Sequence, residues 1–71
     1  MEATRKMRGI PLANLRRERQ RAGLTLRELA EISGVKYTTI SELENGRRGA
    51  QGRTVRKLAE ALGVSTRDLV G

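Results

Sequence analysis

Residues 25–46, TLRELAEISGVKYTTISELENG, constrain the fold more than any other stretch of this chain. Thr25 and Glu28 have the spacing of a capping box, in which the two side chains satisfy the free backbone N–H groups at a helix start. Leu26, Leu29, Ala30 and Ser33 follow at i, i+3, i+4 and i+7, one helical face of small and apolar side chains. Gly34 ends that helix, because glycine enters the left-handed region cheaply. Val35 is expected as a buried plug in the turn. A second helix starts near Tyr37, buries Ile40 and Leu43, and stops at Asn45 and Gly46. The reading is therefore two short helices joined by a tight turn containing glycine, an arrangement used to set the second helix in the DNA major groove.

The flanks continue the helical pattern. Pro11 suits the first turn of a helix over about 11–22, with Leu12, Leu15, Arg19 and Ala22 on one face. Arg19 is the odd member of that stripe, since an inward cation needs a partner. Arg16, Arg17 and Arg21 read as solvated charges. Gly23 ends the helix and Leu24 turns back toward the core. A fourth helix is expected over 53–62, with Val55, Leu58, Ala59 and Leu62 inward and Gly63 closing it. Ser65 and Asp68 repeat the capping logic for a fifth helix over 66–70. Val64 and Leu69 should close the core, and Val70 is either core or left exposed for a partner chain. The fold class is thus all-α, a single five-helix domain over 10–71, preceded by a basic tail over 1–9. That tail carries Arg5, Lys6 and Arg8 without periodicity. It reads as a disordered terminus, with an arm following DNA phosphates or entering the minor groove as the alternative.

Composition narrows the function. Basic residues outnumber acidic ones 15 to 8, a formal charge of +7, which suggests a polyanionic partner, with nucleic acid ahead of a membrane surface. Neither cysteine nor histidine is present, which removes disulfides, the commonest nucleophile–base pairs and most zinc sites. No catalytic, metal or phosphate-cradling motif stands out, so the chain is not read as an enzyme, and no cofactor is expected. With Tyr37 as the one aromatic, single-strand binding by base stacking is disfavoured. No apolar run is long enough to span a membrane, and the start, MEATRKMRGI, lacks the apolar stretch expected of a signal peptide.

The segments LRRERQRAGLT (15–25), LAEISGV (29–35), TISELENGRR (39–48) and KLAEALGVS (57–65) resemble, in their joint spacing, the Cro/cI-type (Xre-like) helix-turn-helix domains of phage and bacterial repressors. The resemblance covers about residues 12–70 and implies a compact lambda-repressor-like domain. Its implied function is sequence-specific binding of double-stranded DNA as a homodimeric transcriptional regulator or repressor. The implied setting is the cytoplasm of a bacterium, on the nucleoid, with a phage-encoded origin also open. No small-molecule ligand is evident.

Position by position, the resemblance makes Lys36, Tyr37, Thr38 and Glu42 the candidates for base contact. Chemistry gives each a role. Lys36 can donate to guanine or to a phosphate, Thr38 can hydrogen-bond or touch a thymine methyl, and Tyr37 can do likewise or bond a phosphate. Glu42 can accept from a cytosine amino group, but its charge costs affinity unless it reads a base or pairs with an arginine. Thr25, Arg27, Ser41, Asn45, Arg47 and Arg48 are the phosphate candidates. The resemblance also pairs Arg19 with Glu44. Three positions depart from the family pattern. Leu26 stands where glutamine often fixes a phosphate, Lys36 stands where Ser or Thr often caps the third helix, and AQG (50–52) replaces a Pro-Ser or Pro-Thr start to the fourth. These departures keep a second reading open, a protein-interaction module of the same fold that does not read DNA.

Overall fold

The computed structural model describes residues 9–70, which form helices α1 (Leu15–Arg21), α2 (Leu26–Ser33), α3 (Tyr37–Glu44), α4 (Gly52–Leu62) and α5 (Thr66–Val70). The basic tail lies outside the described residues apart from Gly9. Among them no strand occurs, only an isolated antiparallel bridge between Ile10 and Ala50.

Local chemistry sets the two central helices. Thr25 Oγ1 accepts from the Glu28 N–H at 3.0 Å, and the Thr25 N–H donates to Glu28 Oε1 at 2.9 Å, so both halves of the capping box are made. Gly34 closes α2 at φ 77°, a conformation that would strain a side-chain-bearing residue. The Val35 N–H then donates to Ser33 Oγ at 3.1 Å, which turns the chain so that Val35 is buried between α2 and α3. α3 begins at Tyr37 without a side-chain cap, because Lys36 at the capping position has no acceptor to offer.

The core takes a fully buried side chain from every helix: Leu15 from α1, Leu29 from α2, Ile40 and Leu43 from α3, Leu58 from α4 and Leu69 from α5. Each such leucine contributes about 1.5–3 kcal/mol by leaving water. α2 packs on α3 and α4, while α1 and α4 both pack on α5. The α2–α3 pair is therefore seated on the rest of the domain. α4 starts at Gly52, one residue before the expected position, with Gln51 as an N-cap whose side chain makes no cap. Its inward stripe is Val55, Leu58 and Ala59, with Leu62 partly buried. At α5 the Ser65 N–H and hydroxyl both donate to Asp68 Oδ2 at 3.0 Å. Those bonds, the backbone one foremost, hold the Asp68 carboxyl below its ordinary value. Val70 is exposed.

α1 departs from expectation in two ways. It starts at Leu15 rather than near Pro11, because the chain is extended where Ile10 pairs with Ala50 and then spends one turn bringing Leu12 into the core. Its first turn is held from α5, where the Asn14 N–H donates to Leu69 O at 3.0 Å and Asn14 Nδ2 donates to Asp68 O at 3.2 Å. These bonds also satisfy carbonyls at the end of α5. The inward face keeps Leu12, Leu15 and Arg19 and differs at two positions. Ala22 lies past the helix end and is exposed, whereas Glu18 is buried at 7% exposure. The Glu18 carboxylate reaches Arg17 at 3.4 Å and Arg21 at 3.5 Å, and both arginines stay exposed to water as expected.

Candidate nucleic-acid interface

The inward side of α3 is fixed by Ile40 and Leu43, and this leaves a continuous outer side. Lys36, Tyr37, Thr38 and Asn45 are exposed, and Ser41 and Glu42 are half-buried. In an α-helix, positions 37, 38, 41, 42 and 45 share one side, so these residues form a single strip.

Contacts from neighbouring segments frame that strip at both ends. At its start, the Arg27 guanidinium on α2 sits 5.9 Å from the centre of the Tyr37 ring, within cation–π range. The same corner holds a shallow open depression of about 520 Å³ lined by Arg19, Leu24, Thr25, Leu26, Arg27 and Tyr37. Toward its end, Arg48 Nη1 donates to Glu42 Oε1 at 2.9 Å, and the Arg47 N–H donates to Glu42 O at 2.9 Å. The α3–α4 loop thereby folds back along α3. The Glu42 charge is met by Arg48, which answers the electrostatic objection to an anion on this side. Arg47 remains exposed. Thr25 Oγ1 is occupied as an acceptor by the α2 cap, but its hydroxyl proton stays available to an anion.

Beneath the strip lies a denser ionic cluster. Arg19 Nε donates to Glu44 Oε2 at 2.7 Å and Arg19 Nη2 donates to Glu44 Oε1 at 3.0 Å, a two-pronged pair. A third bond, from Arg19 Nη1 to Leu24 O at 2.9 Å, ties in the α1–α2 connection. The Glu44 side chain is 2% exposed and that of Arg19 12%. The bond to Glu44 raises the Arg19 guanidinium above its ordinary value, while burial acts against it. Arg16 joins from outside, with Nε 3.3 Å from Glu44 Oε1 and Nη2 donating to Asn45 Oδ1 at 3.0 Å. Arg16 is thus a partner of Glu44 and not only the solvated charge expected from the sequence; its i, i+3 spacing to Arg19, which puts both on one helix face, is the signal that points to it. Asn45 keeps its amide N–H groups free of that contact, so a phosphate is within its chemistry. Among the described residues no group of three or more His, Cys, Asp or Glu could hold a metal ion, and no helix is long and apolar enough to cross a membrane.

Residues 15–69 match the family model described as helix-turn-helix. The chain belongs to this family, in its Xre or Cro/cI-type form. Helix-turn-helix proteins of this kind are DNA-binding regulators rather than enzymes. Relatives agree at high identity. An uncharacterized HTH-type transcriptional regulator, y4dJ of Sinorhizobium fredii, is 46% identical over 66 residues, 93% of this chain and 82% of the relative. The HTH-type transcriptional repressor RghR of Bacillus subtilis is 47% identical over 57 residues, 79% of this chain and 40% of the relative. RghRB of the same organism, also named as an HTH-type transcriptional regulator, is 43% identical over 63 residues, 87% of this chain and 43% of the relative. The chain thus spans most of the first relative and about two-fifths of the other two. No solved structure is significantly similar.

Proposed function

We propose that this chain binds double-stranded DNA sequence-specifically as a homodimer and regulates transcription, with α3 lying in the major groove. Membership of the helix-turn-helix family and the regulator and repressor names of its relatives support DNA-dependent regulation, and the setting proposed for it is nucleoid DNA in the cytoplasm of a bacterium, with the chain bacterial or phage-encoded. The observation that carries the mode of binding is the outer strip of α3, exposed at Lys36, Tyr37, Thr38 and Asn45 and framed by Arg27 at one end and by Arg48 toward the other. A helix in the major groove needs such a strip for base edges and cations at its margins for phosphates.

In this reading Lys36 donates to guanine or to a phosphate at the helix start. Thr38 and Tyr37 meet base edges beside it. Glu42 and Arg48 act as a unit, in which the carboxylate aligns the guanidinium and keeps one oxygen for a cytosine amino group. Arg27, Arg47, Thr25, Ser41 and Asn45 fix the register on the backbone. The shared face is one side of a small domain, so a second copy supplies the other half of the site.

The test is selection of bound duplexes from a random pool at about physiological salt, where non-specific phosphate binding is weak. A two-fold symmetric site with half-sites about one turn apart is expected. Exchanging Arg47 and Arg48 together for Glu should abolish binding to that site while the far-ultraviolet spectrum stays helical. Binding that survives the exchange would overturn the role given to Arg47 and Arg48, and a folded sample that enriches no duplex would overturn the proposal in favour of a protein-interaction module.

A further inference from the structure

The segment before α1 is bonded to α5 through Asn14 and, at its other end, to the loop joining α3 to α4. The Ile10 N–H donates to Ala50 O at 2.7 Å and the Ala50 N–H donates to Ile10 O at 2.8 Å. Ala50 is buried at 4% exposure. Gly9 makes this closure possible. Its φ is 89°, and a Cβ there would lie 2.8 Å from the Gly49 carbonyl carbon and 2.9 Å from Ala50 N and O. These are backbone atoms with no freedom to swing aside, so a side chain at position 9 forces the two segments apart.

The loop so held is the one that carries Arg47 and Arg48. With glycine at 46 and 49 it has more conformational freedom than an ordinary connection, and ordering such a loop on binding costs conformational entropy for each residue fixed. Its beginning is tied to α3 through Glu42, by the Arg47 N–H and the Arg48 side chain. Its far end is tied by the Ile10–Ala50 bridge alone among the hydrogen bonds described between the loop and the segment before α1.

We infer that Gly9 and Ile10 are positioning residues for DNA binding: they staple the α3–α4 loop into one conformation before DNA arrives, so that Arg47 and Arg48 meet phosphates without a further ordering cost. The inference rests on the DNA-binding reading above and assigns the pair no contact with DNA. Gly9 and Ile10 bring no charge; they act through the geometry of the loop.

The experiment uses the full chain and the duplex that the wild type selects. Gly9→Ala is compared with Gly63→Ala, which imposes the same kind of backbone strain at φ 71° with open space around it, at the end of α4. Gly9→Ala should speed hydrogen exchange at the Ala50 amide and weaken DNA binding about tenfold, the effect of leaving about one more residue to be ordered on binding. Gly63→Ala should lower the melting temperature and leave the affinity of the folded protein unchanged. In an Arg47→Gln, Arg48→Gln background the Gly9→Ala penalty should disappear, because the loop then has little left to deliver.

Faster exchange at Ala50 with unchanged affinity would overturn the inference. So would a Gly9→Ala penalty that persists in the Arg47→Gln, Arg48→Gln background but vanishes when Arg5, Lys6 and Arg8 are neutralised, since the bridge would then serve the tail and not the loop. One measurement needs no variant. The Ala50 amide of the free wild-type protein should already exchange slowly, and protection that arises only on adding DNA would refute a pre-formed loop. A wild type that enriches no duplex would instead defeat the DNA-binding reading itself.

Discussion

At the scale of single residues, Arg19 and Glu44 bear the largest electrostatic stake. Glu44 is almost wholly withdrawn from water, and its two oxygens are met by Arg19 and Arg16. Removing one member of a buried, hydrogen-bonded pair costs about 3–5 kcal/mol, and with Arg16 still beside Glu44 the loss of Arg19 belongs at the lower end of that range. A domain this small has a total stability on the order of 0.05–0.15 kcal/mol per residue, so that loss is a large share of it. Arg19→Ala or Glu44→Ala should therefore lower the melting temperature by about 12 °C or more. Arg21→Ala, on an exposed side chain, should shift stability by about 0.5 kcal/mol or less. The double change Arg19→Met, Glu44→Leu should recover much of the loss, because burying two apolar side chains removes the orphaned charge. An Arg19→Ala melt indistinguishable from that of Arg21→Ala would contradict this account. The guanidinium stays protonated across any working pH, since its bond to Glu44 raises an already high value.

At the scale of elements, what could be read from the sequence was what local chemistry decides. The capping box at Thr25 and Glu28, the stop at Gly34 and the inward pair Ile40 and Leu43 each depend on neighbours within a turn or two, and the sequence states them directly. The outward strip of α3 follows from the same periodicity. The start of α1 was not legible, because its cause lies far along the chain: Ala50 extends the backbone at Ile10, and α5 holds Asn14. The burial of Glu18 has a local cause instead: it lies three residues from Leu15 on the same helical face, and only its charge sets it apart from the inward stripe. The Glu42–Arg48 contact was within the rules as a possibility, but only the path of the loop decides it. The AQG departure turns out to be compatible with a helix start at Gly52, and it carries a consequence for stability. Gly52 is helical with φ outside the left-handed region, and a Cβ there would meet only the flexible end of Arg56 at 3.7 Å. Alanine fits that backbone and narrows the unfolded ensemble, so Gly52→Ala should stabilise the domain by about 0.4–1 kcal/mol. Denaturant melts will decide it, and a loss of stability would mean that the first turn of α4 needs glycine for a reason outside this geometry.

At the scale of the whole molecule, the question is how so small a body acquires specificity. One α3 strip offers four candidate base-contacting side chains, enough for a few base pairs, and a few base pairs recur very often in any genome. Two copies on one duplex solve this only if both present α3 to the same side of the DNA. That condition is a matter of helical phase. Half-sites separated by about 10.5 base pairs face the same way, about 34 Å apart. Inserting about 5 base pairs between them turns one half-site to the opposite side while changing no base that either copy touches. If the chain binds as a proposed homodimer, the insertion should reduce affinity about a hundredfold, toward that of a single half-site, because the second contact no longer benefits from the first. Phosphate attraction alone would behave differently. It follows charge, not phase, and would leave the affinity of the spaced duplex unchanged while falling steeply with salt. Measuring the original and spaced duplexes at two salt concentrations therefore separates the contributions. A phase-dependent loss marks paired reading by two copies of α3. A phase-independent affinity that collapses with salt would reduce the +7 charge to the whole of the attraction and end the case for a dimer on DNA.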